Sequence, residues 1–174
     1  MRNKLTFPLA SIVCISAFAL SSMFHPTSAI APAAGSSASG HGTLLVEDAD
    51  GNLVRRQFSF SAKKLANGTV KGTAVIHNPE FDPTYNANIE ITCLLVDGNR
   101  ASFGGTIRRS SDPVFNDEFD SAFFTVFDNG EPGAGNDTIS AIFFDNVVGP
   151  ETCQFIGASD FPQIPVEAGN VQVR

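Results

Sequence analysis

The chain has 174 residues, of which 43% are hydrophobic, and its formal net charge is −7. This length and apolar content predict one folded domain and argue against a globally disordered chain. The negative charge argues against binding to nucleic acid or to anionic membrane surfaces, because like charges repel.

The first 29 residues have the three parts of a secretory signal peptide. Residues 1–4 are short and basic, residues 5–20 form an apolar run, and small residues surround Ala29 and Ala31. The apolar run is shorter than the roughly 20 residues that a membrane-spanning helix needs. We therefore expect cleavage after Ala29 or Ala31, secretion to an extracellular or periplasmic compartment, and no membrane insertion of the mature chain.

Removal of this leader changes both the charge and the cysteine count. The leader holds Arg2, Lys4 and Cys14 but no acidic residue, so the mature chain has nine basic and 18 acidic residues, a net charge of −9. Cys93 and Cys153 remain, and an exported chain with two cysteines has a single disulfide connectivity. We predict a disulfide between Cys93 and Cys153, with a pair of free buried thiols as the alternative.

Residues 30–40 are small, uncharged and rich in Pro, Gly and Ser, which is typical of a flexible linker. From residue 41 onward, apolar and polar residues alternate as in half-buried strands. In residues 54–62, for example, Arg56, Phe58 and Phe60 share one face and Arg55 and Ser59 lie on the other. Similar segments, each bounded by turn residues, are 42–47, 70–77, 89–96, 100–109, 121–127, 138–144 and 165–173.

The predicted strands follow one another about every ten residues, and no stretch has the 3.6-residue period of a helix. This spacing is typical of a β-sandwich or a small barrel. We therefore predict that residues 41–174 form one all-β domain, an antiparallel β-sandwich of seven to eight strands. A jelly-roll-like fold or a small closed barrel is the alternative.

Residues 128–137 are the candidate metal site. They hold Asp128, Glu131, Asn136 and Asp137 among glycines that let carbonyl groups turn inward, and a second acidic loop spans residues 112–120. Oxygen-rich loops on exported domains bind calcium with dissociation constants of about 0.1 to 1 mM. We predict calcium as the candidate cofactor at these four residues. The alternative is that Asp, Asn and Gly are present as ordinary turn formers.

No catalytic motif stands out from the composition. His41 and His77 follow the leader, neither has a second histidine three or four residues away, and no GxSxG segment occurs. Trp is absent, which argues against an aromatic platform for sugars. We interpret Arg55, Arg56 and the pair at 108–109 as cross-strand partners of acidic side chains.

These observations favour a secreted, non-catalytic adhesion, matrix or binding module, whose partner is an extracellular protein or a polysaccharide and not a nucleic acid. The alternative is a small secreted enzyme, a hydrolase or isomerase, that uses loop carboxylates with His41 or His77.

Six short motifs give the chain a resemblance to a known family. In order they are SGHG, FSFSA, NGTVKG, ITCL, VDGNRA and DNGE, at residues 39–42, 58–62, 67–72, 91–94, 96–101 and 128–131. Together they resemble an uncharacterised family of exported bacterial β-sandwich domains, some of which carry the label post-COAP-1. The resemblance covers most of residues 41–153. It implies secretion and a β-sandwich, and it brings no activity or site residues.

Overall fold

The computed structural model describes residues 35–48, 50–81, 84–111 and 119–174. The predicted signal peptide, the first part of the predicted linker and most of the acidic loop at 112–120 lie outside these ranges. Within them, no helix is long and apolar enough to cross a membrane. The elements are β1 Ser37–Glu47, β2 Leu53–Lys64, β3 Val70–Asn78, β4 Tyr85–Asp97, β5 Arg100–Ser110, β6 Ser121–Phe127, β7 Thr138–Ser140, β8 Phe143–Asp145, a 3-10 helix Pro150–Phe155, β9 Gln163–Pro165 and β10 Ala168–Val173.

All ten strands belong to one antiparallel sheet, which is strongly curled into a half-barrel. The strand order is β10-β1-β2-β3-β4-β5-β6-β7-β9, and β8 pairs with β6. The predicted all-β antiparallel fold is confirmed. The two-sheet sandwich of seven to eight strands is not confirmed, because one continuous ladder joins the strands. Two extra strands arise because the predicted segment 138–144 is divided into β7 and β8, and because β9 forms at Gln163–Pro165, at the start of the predicted segment 165–173.

A short corner brings the two ends of the strand order together. β9 and β10 are the outermost strands, yet Val166 and Glu167 alone separate them along the chain. The Val166 N–H donates to the Asp137 carbonyl, and the Glu167 N–H donates to the Thr43 carbonyl on β1, both at 2.9 Å. Backbone hydrogen bonds at this corner therefore connect the β7 side of the sheet to the β1 side.

Phenylalanine fills the space inside the curled sheet. The ring of Phe103 stacks on Phe124 with centroids 4.4 Å apart, and Phe60 contacts both rings edge-on at 5.0 and 5.6 Å. All three side chains are buried. Such aromatic pairs each add about 0.5–1.5 kcal/mol beyond the burial of their area.

The first strand begins inside the stretch that the sequence predicts to be a linker. β1 starts at Ser37, so residues 37–40, which the sequence assigns to the linker, already pair with β2 and β10. A side chain at Gly40 would come within 2.7 Å of the Phe60 ring. The glycine at position 40, which looks like a linker residue in the sequence, is therefore required by the Phe60 ring that packs against it.

A β-bulge in β4 reverses the direction of Cys93. Before the bulge, Ile89 and Ile91 point into the core. The register between β4 and β5 then shifts between Ile91 and Cys93, so Leu94 points inward and Cys93 points outward. An extra residue in one strand has this effect because side chains alternate with a period of two. The bulge thus places Cys93 on the outer face of the sheet.

The disulfide between Cys93 and Cys153 holds the 3-10 helix against that outer face, and the predicted pairing is present. Cys153 is fully buried, and Ile156 and Phe123 pack around the two sulfurs. A Cβ atom at Gly104, on β5, would lie 2.0 Å from the Pro150 carbonyl oxygen. Glycine is therefore needed at this position for the helix to approach the sheet.

We predict that loss of this disulfide lowers the free energy of unfolding by about 4 kcal/mol, because the bond closes a loop whose cysteines are 60 residues apart. Urea unfolding of the wild type and of the Cys93→Ala/Cys153→Ala double variant measures the difference. Reducing agent should destabilise the wild type and leave the double variant unchanged. Equal stability of the oxidised and reduced wild type would contradict this role.

Candidate functional site

The loop between β6 and β7 contacts the free edge of β10. Among the strands that the structure describes, β10 pairs with β1 alone, along one of its edges. On its other edge, the Val171 N–H donates to Asp137 Oδ2 at 2.8 Å, and the Val173 N–H donates to Asp128 Oδ2 at 3.0 Å. The two carboxylates therefore accept the hydrogen bonds that a neighbouring strand would otherwise accept.

Asp137 is the more deeply placed of the two carboxylates, with 0% of its surface exposed. Its second oxygen, Oδ1, accepts from the Asn129 N–H at 2.8 Å. A Cβ at Gly133 would come within 2.3 Å of Asp137 Oδ2. The glycine of this loop is thus needed for close contact with the carboxylate, and the loop is folded around Asp137.

The other two predicted ligands have local partners. Glu131 Oε1 accepts from Asn170 Nδ2 at 2.9 Å, and Asn136 Nδ2 donates to the Pro132 carbonyl at 2.8 Å. The loop thus brings the four predicted residues into one segment, and each bonds protein groups. Among the described residues, no three His, Cys, Asp or Glu side chains lie close enough to hold a metal ion together. Calcium binding at this loop stays a prediction.

The two histidines lie on strands, and neither forms an ion pair with a carboxylate among the described residues. His41 is exposed on β1. His77 is on β3, and its Nδ1 contacts the Asn86 side-chain oxygen. The enzyme alternative stays untested, and the contacts of these two residues give it no support.

A pocket of about 490 Å³ opens at one end of the half-barrel, and we call it the mouth pocket. It lies where β1 ends and where β2 and β4 begin, opposite β8 and β9. Apolar side chains form most of its wall, and Glu47, Arg56 and Tyr85 contribute the polar part. The lining includes Leu45, Leu53, Arg56, Tyr85, Phe144 and Ile164.

Arg56 is the charged residue nearest the core in this pocket. Its Nε donates to Asn78 Oδ1 at 2.7 Å, and its Nη2 donates to the Tyr85 hydroxyl at 3.1 Å. The Phe81 ring lies 5.6 Å from the guanidinium carbon. Burial lowers the pKa of the Arg56 guanidinium below its usual value, and the nearby Tyr85 hydroxyl partly opposes that shift.

The inward position of Arg56 could have been recognised from the sequence. The period-two pattern of β2 places Arg56 on the same face as Phe58 and Phe60, which is the core face. An arginine at an inward position of a strand is uncommon unless it has a partner inside. Arg55 does pair with an acid, Glu80, at 3.0 Å, although Glu80 lies in the turn after β3 and not on a strand. For Arg56 the interpretation as a cross-strand partner of an acid is wrong.

A wider depression of about 730 Å³ lies on the outer face of β2–β5. It includes Glu90 and Arg108, which form an ion pair with each other. Lys71 and Thr73 extend into solvent beside them. This surface is open and its central charges are paired, so the mouth pocket is the better candidate for a ligand site.

Comparisons of the chain with protein-family models, with curated proteins and with solved structures found no match. The resemblance to exported bacterial β-sandwich domains stays a prediction.

We predict that Asp137→Ala lowers the free energy of unfolding by about 2–4 kcal/mol, because it leaves the Asn129 and Val171 N–H groups without an acceptor. Urea unfolding measures the loss. Glu167→Ala, which removes an exposed carboxylate, is the control and should change stability by less than about 0.5 kcal/mol. Equal effects of the two substitutions would contradict the structural role of Asp137.

Thermal melting with calcium and then with a chelator tests the metal prediction at the same loop. Binding with a dissociation constant of about 0.1–1 mM should raise the melting midpoint at several millimolar calcium. The rise should disappear in Asp128→Asn. An unchanged wild-type midpoint would count against calcium and leave the carboxylates with their hydrogen-bonding role.

Proposed function

We propose that the protein is an exported, non-catalytic binding module whose mouth pocket holds a small, largely apolar molecule. The observation that carries this proposal is the pocket of about 490 Å³ at the end of the half-barrel, lined mainly by apolar side chains. Small-molecule sites typically occupy roughly 300–1,000 Å³, are mostly apolar, and have a few polar groups that orient the ligand.

The position of the pocket above the phenylalanine core supports this proposal. Below Arg56 on the inner face of β2 come Phe58 and Phe60, both buried. The lower part of the half-barrel is therefore filled by the protein itself. Curled antiparallel sheets of about this strand number commonly either fill with side chains or hold one small ligand at the open end.

Export is supported by the signal-like leader and by the disulfide between Cys93 and Cys153, which is a bond that persists in oxidising compartments. The sequence-based expectation of an extracellular protein or polysaccharide partner stays a prediction. The dimensions and apolar lining of the mouth pocket favour a small molecule as the ligand at this site.

We predict saturable binding of a neutral apolar fluorophore, N-phenyl-1-naphthylamine, to the full mature chain. Leu53 lies at the rim of the pocket and is 65% exposed, so Leu53→Glu should weaken binding about tenfold by placing a charge beside an apolar ligand, at little cost in stability. Fluorescence titration measures both affinities.

Val147→Glu is the matched control, because Val147 is 86% exposed and lies outside the mouth pocket. It should bind the fluorophore as the wild type does. Absence of saturable binding to the wild type, or equal weakening by both substitutions, would overturn the proposed function.

A further inference from the structure

Arg56 differs from Arg55, Arg100 and Arg108, which are also on strands, in having no carboxylate partner among the described residues. Arg55, Arg100 and Arg108 each form an ion pair with a carboxylate, on Glu80, Asp97 and Glu90 respectively. Arg56 is bonded to an amide oxygen and a phenol, and no described carboxylate pairs with it. Buried charges in proteins are normally paired, because removal from water without a partner is costly.

The guanidinium has a free end. Nε and Nη2 are engaged by Asn78 and Tyr85, which together hold the guanidinium plane in position. Nη1 has no hydrogen-bond partner among the residues that the structure describes. An arginine held in this way presents the Nη1–Nη2 edge, which matches the two oxygens of a carboxylate.

Asn78, which bonds the Arg56 guanidinium, also has a buried donor without a partner. Its side chain is 0% exposed, and its Nδ2 has no partner among the described residues, although its Oδ1 accepts from Arg56. A buried donor without an acceptor costs about 1–3 kcal/mol unless something else bonds it. Arg56 Nη1 and Asn78 Nδ2 are therefore two donors without a described protein acceptor, and they belong to side chains that are hydrogen-bonded to each other.

We infer that the mouth pocket binds an amphipathic monoanion, with a carboxylate headgroup on Arg56 and an aliphatic chain against Leu53, Phe144 and Ile164. The inference rests on the proposed function and adds the chemical class of the ligand. The one carboxylate in the described lining, on Glu47, is exposed and does not pair with Arg56. Arg56 is therefore the group in the lining that an anionic headgroup complements.

The placement of the headgroup follows from the sheet register. Asn78 and Tyr85 are direct partners across β3 and β4, and the Arg56 side chain bonds to both. These three residues form a polar row, and the next partners toward the core, Ile76 and Ala87, are apolar and buried. The headgroup would rest on the polar row, and the chain would extend along the apolar wall of the pocket.

The test compares decanoate with 1-decanol, which share a chain length and differ in headgroup charge. Each is titrated at pH 7 against the full mature chain carrying the neutral fluorophore N-phenyl-1-naphthylamine. We expect decanoate to displace the fluorophore with an affinity at least about tenfold higher than that of decanol, the difference typical of one charged hydrogen-bonded contact.

Arg56→Met should remove this preference, so that decanoate and decanol bind within about twofold of each other. Arg56→Lys should retain part of it. Arg55→Met is the matched control, since Arg55 is the adjacent residue on the opposite face and its side chain is about half exposed. It should bind decanoate as the wild type does. If Arg56→Met does not fold, the comparison of decanoate with decanol on the wild type still tests the inference.

The outcomes separate the two proposals. Equal affinities of decanoate and decanol for the wild type would leave the proposed function standing and overturn the inference about the headgroup. Failure of the fluorophore and of both ligands to bind would overturn the proposed function itself. A preference for decanoate that persists in Arg56→Met but is lost in Arg55→Met would also overturn the inference, since the charge that selects the ligand would then be on the outer face.

Discussion

The packing of phenylalanine inside a single curled sheet is the constraint on which the rest of the structure depends. Phe60, Phe103 and Phe124 occupy the interior as one cluster of rings. They require a small residue opposite them at Gly40, and their buried rings fill the described interior around them. A ligand site inside the sheet is therefore restricted to its open end, where the aromatic packing gives way to Arg56 and its partners.

Two devices stabilise the boundary of this core. On the outer face, the bulge in β4 directs Cys93 toward Cys153, and the disulfide ties the 3-10 helix to the sheet. At the edge of β10, the carboxylates of Asp128 and Asp137 accept backbone hydrogen bonds that another strand would accept elsewhere. The loop at residues 128–137, which the sequence predicts to be a calcium site, thus has a structural role in the curled sheet.

The sequence predicts the strands well because their alternation reflects the burial of one face. It predicts the disulfide because only two cysteines follow the leader. It does not predict the bulge, since the pattern of residues 89–96 is apolar on both sides of it and gives no sign of a change in direction. The single sheet also could not be distinguished from a sandwich, because alternation describes one strand at a time and not which strands pair. The sequence places Arg56 among apolar residues on the inner face of β2. Its neutral partners could not be predicted, because they lie on β3 and β4 and only the fold brings them to it.

A ligand titration followed by NMR tests the central claim, that the mouth pocket binds an amphipathic anion through Arg56, most directly. With ¹⁵N-labelled mature chain and decanoate, we predict saturable shifts of the Arg56 Nη–H signals and of the backbone amides of Leu53 and Tyr85, while the amides of the outer face at Lys71 and Thr73 stay unchanged. Shifts confined to the outer face, or shifts at the mouth that leave the Arg56 Nη–H signals unmoved, would contradict this claim.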